Sequence, residues 1–290
     1  METFVLAKNA APIHLKQFLA GKGVSGIIYR KLKLSGYLWV NNKLPIGNIL
    51  LTPGSIINFD YAEEASTVTP ENGTLKISYE DEYLLIVNKP AGMLVHPTTN
   101  HLQGTLANLV AGYYKKSNIS TGMHPVSRLD KNTSGLVLFA KKAYIQFAFT
   151  LHPMHKEYLG LVVGIPSEPC GTISVPISRK PGSIIEREVN KNTGKYARTD
   201  YCLIKTYKDI ALVRFVLHTG RTHQIRVHSA YCGHPLYGDN LYGKKGPQGR
   251  HCLHGHQGTQ NYHYCLSRQT PNSHYGRKNL TKPSQNTCYI

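Results

Sequence analysis

The chain has 290 residues, enough for one large and one small domain, and 41% of them are hydrophobic, as in ordinary globular proteins. Its 34 Lys and Arg outnumber its 16 Asp and Glu, and the resulting formal charge of +18 favours a polyanionic partner. No apolar run is long enough to span a bilayer, and the N-terminus is too short and too mixed to be a secretory signal. We therefore expect a cytoplasmic protein that has no membrane partner.

The first 61 residues are predicted to form a small unit of two helices followed by a sheet. Apolar spacing predicts one helix at residues 14–20 and a second, basic helix at residues 27–33. Residues 62–74 are polar and contain a proline and a glycine, so they are predicted to be a linker. The short strands of the unit are expected at residues 37–40, 49–51 and 56–59.

Residues 75–256 are predicted to form a second domain in which apolar strands predominate. Few helical stretches separate these strands, and residues 143–151 are one of them. This pattern indicates an α+β domain built on a mainly antiparallel mixed sheet. The strands are expected at residues 83–87, 136–140, 158–163, 201–205 and 211–217.

Residues 257–290 break this pattern. They contain no Asp or Glu and only three aliphatic residues, so they can bury little apolar surface and are predicted to be a disordered tail. The tail contributes +4 to the formal charge, which leaves +14 for the rest of the chain. We attribute the abrupt change in composition to an altered reading frame or C-terminus near residue 257.

The six cysteines are spread singly along the chain and form no C-x-x-C pair. Such spacing is typical of reduced, packed thiols and not of a disulfide frame. The His and Cys residues between positions 251 and 265 match no usual zinc spacing, so we expect no metal. The cysteines are Cys170, Cys202, Cys232, Cys252, Cys265 and Cys288.

One candidate reactive group is the carboxylate of Asp130, in a short polar turn that precedes an apolar strand. Arg128 and Lys131 flank it, and loops on a rigid sheet often hold reactive groups. A nearby guanidinium favours the ionised form of an acid, which is the form that attacks. Taken alone, the turn is more typical of an ordinary structural aspartate.

A second candidate is the segment at residues 221–228, which carries two Arg, two His and one Gln after an apolar strand. Arginine can bind either a carboxylate or a phosphate through two parallel hydrogen bonds, although a solvated basic face is the commoner fate of such a run. Tyr158 at a strand entrance and Lys89 in a glycine-containing loop are weaker signals, since a lone tyrosine there is usually a packing residue.

Together these segments resemble the pseudouridine synthase family that modifies ribosomal and transfer RNA, in the branch that acts on large-subunit ribosomal RNA. Six motifs in the family's order, over about residues 75–256, are far more specific than any one of them. The first sixty residues resemble the small S4 RNA-binding domain. The six motifs are Asn88-Lys89-Pro90-Ala91-Gly92, Arg128-Leu129-Asp130 with Thr133-Ser134-Gly135, Lys156-Glu157-Tyr158, Gly194-Lys195 with Ala197 and Thr199, Gly220-Arg221-Thr222-His223-Gln224-Ile225-Arg226, and Gly233-His234-Pro235-Leu236-Tyr237-Gly238-Asp239.

The resemblance implies a role for each matching residue. Asp130 is expected to be the catalytic nucleophile and Arg221 the arginine that pairs with it. Tyr158 is expected to stack on the target uracil and to handle its C5 proton. Arg128 is expected to help fill the space that the flipped base leaves. Further RNA contacts are expected from Lys89, Thr222, His223, Gln224 and Arg226.

The resemblance also implies an isomerase that needs no cofactor, since the reaction breaks the N1–C1′ bond of uridine and rejoins the uracil through C5 without oxidation. Asp130 either attacks C1′ or helps to remove a 2′ proton. The expected partner is RNA, with 23S-type ribosomal RNA first and transfer RNA second, and the protein is expected to be a monomer without a protein partner. The alternatives are a catalytically impaired RNA-binding protein of the same fold and a glycoside hydrolase, which usually needs a second carboxylate.

Overall fold

A computed structural model describes residues 1–60, 66–243 and 253–257 as five helices and sixteen strands. No helix among these residues is long and apolar enough to cross a membrane. The helices are α1 (Leu15–Gly21), α2 (Gly26–Ser35), α3 (Leu106–Lys116), α4 (Ala143–Leu151) and α5 (Gln224–Tyr231). The strands are β1 (Glu2–Val5), β2 (Ile13–His14), β3 (Leu38–Val40), β4 (Leu50–Leu51), β5 (Ile56–Phe59), β6 (Ile77–Glu80), β7 (Leu84–Lys89), β8 (His124–Pro125), β9 (Ser134–Ala140), β10 (Lys156–Val163), β11 (Cys170–Ile173), β12 (Ile177–Arg179), β13 (Arg187–Val189), β14 (Thr199–Tyr207), β15 (Ile210–Leu217) and β16 (Leu253–Gln257).

The larger unit is built on one mixed sheet of nine strands. Eight of them lie in the order β11-β14-β15-β10-β16-β9-β7-β6, and β8 pairs with β9 off this path. Every neighbouring pair is antiparallel except β16 with β9, which is parallel. This mainly antiparallel sheet, with few helices, confirms the predicted α+β class.

Strand β16 joins the two halves of this sheet. Gly255 lies opposite Tyr158 of β10 in antiparallel register and opposite Gly135 of β9 in parallel register. Gly135, near the start of β9, and Tyr158, near the start of β10, therefore lie in one row of the sheet, although the two strands run in opposite directions. The strand ends at Gln257, which the sequence analysis placed in the tail, and residues 258–290 lie outside the described residues.

Strands β7 and β9 have continuous apolar sequences because both faces of the sheet are covered there. In β7, Leu84 and Ile86 pack into the hydrophobic core that contains α4 and the N-terminal unit. Leu85 and Val87 point to the opposite face and pack into the core that contains α3. The central strands are thus fixed on both sides, which makes them a rigid support for the loops at their ends.

The N-terminal unit packs directly against α4. Its main sheet has the order β1-β5-β3, and the Phe59 ring meets the Tyr144 ring edge-on with 5.6 Å between centroids. A Cβ atom added at Gly23, where φ is +87°, would lie 2.7 Å from the Cβ of Ala148, so this contact requires glycine. The unit therefore shares one core with the large sheet. The assignment of residues 1–61 to an S4-like RNA-binding domain stays a prediction.

The described part of the predicted linker, residues 66–74, lies against α3. The Asn108 side chain donates from Nδ2 to the Thr69 carbonyl at 2.9 Å. The Gly104 backbone N–H donates to both carboxylate oxygens of Glu71 at 3.1 Å. These bonds hold this segment against the larger unit.

Cys170 and Cys202 form a disulfide, which corrects the prediction that the cysteines are reduced thiols. The two residues lie directly opposite each other in β11 and β14, with 4.1 Å between their Cα atoms. The pairing depends on strand register across 32 residues, which the spacing of the cysteines alone did not reveal. Cys232 is a free thiol at the surface.

Candidate active site

A cleft with a volume of about 420 Å³ opens where the loop before β9 and the first residues of β10 meet the beginning of α5. The shared row of Gly135 and Tyr158 in the sheet places the loop before β9 close to the first residues of β10. The end of β15, at Leu217, adjoins them. Asp130, Tyr158 and Arg221, the three predicted catalytic residues, all line this cleft.

Asp130 lies in the turn before β9, and 28% of its side chain is exposed. The Thr133 backbone N–H donates to the Asp130 carbonyl at 3.1 Å and closes the turn. The carboxylate atom Oδ2 lies 3.5 Å from Arg226 Nη1 and 3.8 Å from His223 Nε2. Two basic side chains therefore contact the carboxylate while part of it stays accessible to a substrate.

Arg226 is fixed in place by Asp239. Its Nε and Nη2 atoms donate to the two carboxylate oxygens of Asp239 at 2.7 and 2.9 Å, and its guanidinium stacks on the Tyr242 ring, 4.9 Å from the centroid. Burial alone lowers the pKa of Arg226, but Asp239 and Asp130 raise that pKa by more, so the guanidinium stays charged. This bidentate pair leaves Nη1 directed at Asp130.

Tyr158 lines the same cleft as Asp130 and has only 7% of its surface exposed. Burial raises the pKa of its phenol to about 12, and the negative charge of Asp130 adds to this shift. The phenol is therefore neutral at physiological pH. Its ring offers a flat aromatic surface, which suits an unstacked base.

Comparison with known proteins explains this arrangement. Residues 83–231 match the family model described as RNA pseudouridylate synthase. The uncharacterized RNA pseudouridine synthase YjbO of Bacillus subtilis (strain 168) is 34% identical over 248 residues, which cover 83% of this chain and 87% of that protein. The chain belongs to the RNA pseudouridine synthase family.

Two further proteins support the membership. The ribosomal large subunit pseudouridine synthase D of Blochmanniella floridana is 37% identical over 222 residues, covering 70% of this chain and 69% of that one. A solved structure, human RNA pseudouridylate synthase domain containing 1, superposes with a TM-score of 0.53 at 26% identity and covers 66% of this chain and 79% of its own. The chain is thus an isomerase that acts on uridine in RNA.

The arginine that contacts Asp130 in this pseudouridine synthase is Arg226, which corrects the prediction that Arg221 pairs with it. Arg221 is exposed and precedes α5, and its Nε atom donates to the Tyr196 carbonyl at 2.9 Å. Arg226 lies in the first turn of α5 and is turned inward, with 8% of its surface exposed. The spacing of the motif alone did not distinguish the two arginines.

Lys89 is fully buried, which corrects its prediction as an RNA-binding residue. Its Nζ atom donates at 2.8 to 3.1 Å to three backbone oxygens, those of Pro90, Met93 and Lys131. Burial lowers the pKa of the ammonium to about 8, and the charge of Asp130 opposes that shift. Lys89 therefore ties the loop after β7 to the loop of Asp130 and has no donor left for a phosphate.

Gln224 is also buried, at 2% exposure, which corrects its prediction as an RNA contact. Its Oε1 atom accepts hydrogen bonds from Thr219 Oγ1 and from the Arg221 backbone N–H. Its Nε2 atom donates to the Arg198 carbonyl and to Thr199 Oγ1. These four bonds hold the loop before α5 against the beginning of β14, so Gln224 stabilises the wall of the cleft.

His223 and Thr222 border the cleft at the beginning of α5. His223 caps the helix with a φ of +58°, and its Nδ1 atom lies 2.7 Å from Tyr242 Oη. Burial lowers the pKa of the His223 ring more than Asp130 raises it, so the ring is mainly neutral at neutral pH. Thr222 is exposed and has no such fixed partner among the described residues.

A second cleft, of about 510 Å³, adjoins the first. Arg128 is exposed and borders both clefts beside Asp130, a position from which a guanidinium can reach a bound RNA. The residues that line both clefts are Arg128, Leu129, Asp130, Thr222, His223 and Arg226.

Two residues of the site had no role in the sequence analysis, namely Asp239 and Tyr242. Asp239 was quoted only as the end of the sixth motif. A buried arginine requires a carboxylate partner, and the chain has few acids. Once Arg226 is known to be buried, Asp239 is therefore one of a small number of candidate partners. Tyr242 belongs to none of the six motifs, so its contacts with Arg226 and His223 could not be predicted.

Proposed function

We propose that this chain converts specific uridines of large-subunit ribosomal RNA to pseudouridine, with Asp130 as the nucleophile and transfer RNA as the second candidate substrate. The observation that carries the proposal is the part-exposed Asp130 carboxylate in one cleft with the Tyr158 ring and in contact with Arg226. The choice of RNA follows the relatives that are named ribosomal large subunit pseudouridine synthase D, from Blochmanniella floridana and Nitrosomonas europaea.

The chemistry requires one carboxylate and no oxidant. In one route Asp130 attacks C1′ of the flipped uridine, a C–O bond forms, and the N1–C1′ bond breaks with its electron pair left on N1 of the uracil. The uracil turns, C5 attacks C1′, and the carboxylate leaves. The C5 proton is then lost and N1 gains a proton, so the product is an isomer of the substrate. In the other route Asp130 takes the 2′ proton while the N1–C1′ bond breaks, which gives a glycal and the uracil anion. C5 of the turned uracil then bonds to C1′, the proton returns to C2′, and the C5 proton is lost while N1 gains one.

Arg226 positions the nucleophile in this proposal. Its Nη1 atom lies 3.5 Å from Asp130 Oδ2, and its other two nitrogens, Nε and Nη2, both donate to Asp239. Since Asp239 and Arg226 are both almost fully buried, the guanidinium cannot turn to follow the substrate. Asp130 therefore keeps one orientation while the base moves, which favours attack on C1′.

Tyr158 supports the uracil and takes part in the loss of the C5 proton. Its phenol stays protonated while Asp130 is charged, because burial and that charge raise its pKa to about 12. Once Asp130 is esterified by the sugar, the charge disappears and the phenol becomes easier to ionise. The charge of Asp130 thus links its attack on C1′ to the later loss of the C5 proton.

The RNA backbone is expected to follow the exposed cations around the cleft. Arg128 and Arg221 are exposed at its border, and Lys156 lies at the entrance of β10. Extruding a uridine from its stack costs a few kcal/mol, and phosphate contacts can offset that cost.

The proposal is tested with Asp130→Asn and the wild-type protein on unmodified transcripts of 23S ribosomal RNA and of transfer RNAs. Wild-type protein should produce pseudouridine at defined sites, detected by sequencing after chemical marking. The variant should produce none, and its affinity for the same RNA should stay within about twofold, since phosphate contacts dominate affinity. Equal conversion by the variant would refute the nucleophile. RNA binding without conversion by the wild-type protein would favour the impaired RNA-binding alternative.

A further inference from the structure

The hairpin formed by β12 and β13 carries two exposed isoleucines in its turn, and one of them borders the second cleft. Ile184 is 81% exposed and Ile185 is 59% exposed, and Ile185 lines the second cleft together with Asp130. Single exposed apolar residues are ordinary, but an exposed isoleucine that lines one cleft with the Asp130 carboxylate indicates an apolar contact with what binds there.

The tip of this hairpin is held in one shape by its own hydrogen bonds. Ser183 Oγ accepts from the backbone N–H groups of Ile185 and Glu186, at 3.3 and 2.9 Å. The Lys180 ammonium pairs with the Glu186 carboxylate at 3.0 Å. The isoleucines are therefore presented by an ordered turn, so contact with a ligand loses little conformational entropy.

The turn end of the hairpin is connected to the active site. The Arg187 backbone N–H donates to Tyr242 Oη at 2.9 Å, and Tyr242 Oη lies 2.7 Å from His223 Nδ1. His223 in turn lies 3.8 Å from Asp130. The position of Ile185 relative to the nucleophile is thus fixed through a short chain of contacts.

The second cleft has the chemical character of a nucleobase site. Its apolar lining includes Leu94 and Leu241, which can pack on the face of a base. Asn132 and Asn240 lie at the same cleft, and in the described part of the chain neither carboxamide makes a hydrogen bond. Free carboxamides can bind the edge of a base, which carries both donors and acceptors.

We infer that the second cleft holds the nucleotide next to the target uridine, with its unstacked base against Ile185. This inference rests on the proposed function. The target uracil belongs in the first cleft, where the Tyr158 ring lies, and its sugar belongs at Asp130, which borders both clefts. The RNA chain that continues from that sugar enters the second cleft. Ile185 replaces the stacking partner that the neighbouring base loses, as apolar side chains do at unstacked steps.

The test couples a change in the protein to a change in the RNA. The probe is a stem-loop that carries a uridine converted by the wild-type protein, and its 5′ or 3′ neighbour is replaced by an abasic nucleotide in two further copies. Affinity is measured in the Asp130→Asn background, so that binding is separated from chemistry. Conversion of the intact probe by the wild-type protein is measured first. If the proposed function is wrong, that conversion assay fails, whereas the affinity comparison between variants and probes tests only the further inference.

Ile185→Ser should weaken binding of the intact probe about tenfold, as loss of one base contact does. On the probe whose abasic nucleotide replaces the base that contacts Ile185, Ile185→Ser should cause no further loss of affinity. The conservative variant Ile185→Leu should bind the intact probe like the parent. The control Ile204→Ser changes an exposed isoleucine outside both clefts and should have no effect. The inference is overturned if Ile185→Ser weakens all three probes by one factor, or if Ile204→Ser causes the same loss.

Discussion

The motif residues of the active site fall into two sets that differ in their surroundings. The inner set, Lys89, Gln224, Arg226 and Asp239, is buried and bonded to the protein. The outer set, Arg128, Arg221 and Thr222, is exposed around the cleft of Asp130. Both sets consist of polar or charged side chains, so residue type alone does not separate them. The comparison teaches that burial separates side chains that are bonded within the protein around Asp130 from side chains at the surface of the cleft.

The largest effect is expected from Asp239→Asn, which breaks the buried ion pair of the inner set. Removing one partner of such a pair costs about 3–5 kcal/mol, because the other charge is left buried without compensation. We expect a lower melting temperature and a loss of pseudouridine formation of about a hundredfold or more, since Arg226 no longer fixes Asp130.

The matched control is Asp209→Asn, which removes the same charge at an exposed position in the turn between β14 and β15. Melting temperature and single-turnover rate should both stay near the wild-type values. If Asp239→Asn behaves like this control, the buried pair has no positioning role.

An intermediate effect is expected from Lys89→Met, because three backbone oxygens lose their donor. Unsatisfied buried acceptors of this kind cost about 1–3 kcal/mol, and the turn of Asp130 loses its connection to the loop after β7. Urea unfolding at pH 7 should show the loss, and Lys115→Met, an exposed change on α3, should not.

The same variant tests the pKa of Lys89. The folded-state pKa is about 8, lowered by burial, so between about pH 8 and pH 10.5 the unfolded chain binds more protons than the folded protein. Over that interval the wild-type protein should gain stability with rising pH relative to Lys89→Met. A stability difference that is constant over that range would contradict the shift.

The smallest effect on the fold is expected from Arg128→Ala, in the outer set. The melting temperature should not change, because surface substitutions usually stay within about 0.5 kcal/mol. RNA affinity should fall, and the slope of log affinity against log salt should become shallower by about 1 if the guanidinium contacts a phosphate. Arg214→Ala, an exposed arginine outside both clefts, is the control and should leave the slope unchanged.

The α+β class could be predicted from the sequence because apolar runs such as residues 83–87 and 136–140 are long and sharply bounded. The family could also be predicted, since its motifs follow in order and surround Asp130. The position of β16 between β9 and β10 in the sheet could not be predicted, because it depends on pairing with strands that lie more than ninety residues earlier.

The sequence also could not predict which motif residues of the site are buried and which are exposed. Gln224 and Arg226 are turned inward by the first turn of α5, while Arg221 stays outside because it precedes the helix. That orientation is set by the clamp of Gln224 on β14 and by the counter-charge of Asp239, which is thirteen residues from Arg226. Both are tertiary contacts, and the local sequence carries no record of them.

The most direct test of the division is the single-turnover rate of pseudouridine formation by Arg226→Lys and Arg221→Lys, measured on one RNA at saturating protein. A lysine keeps the charge, but its single nitrogen cannot reach Asp239 and Asp130 together as the three nitrogens of the guanidinium do. Arg226→Lys should therefore slow the reaction about a hundredfold or more at nearly unchanged RNA affinity, whereas Arg221→Lys should slow it less than about tenfold. A larger loss for Arg221→Lys than for Arg226→Lys would contradict the assignment of Arg226 as the residue that positions Asp130.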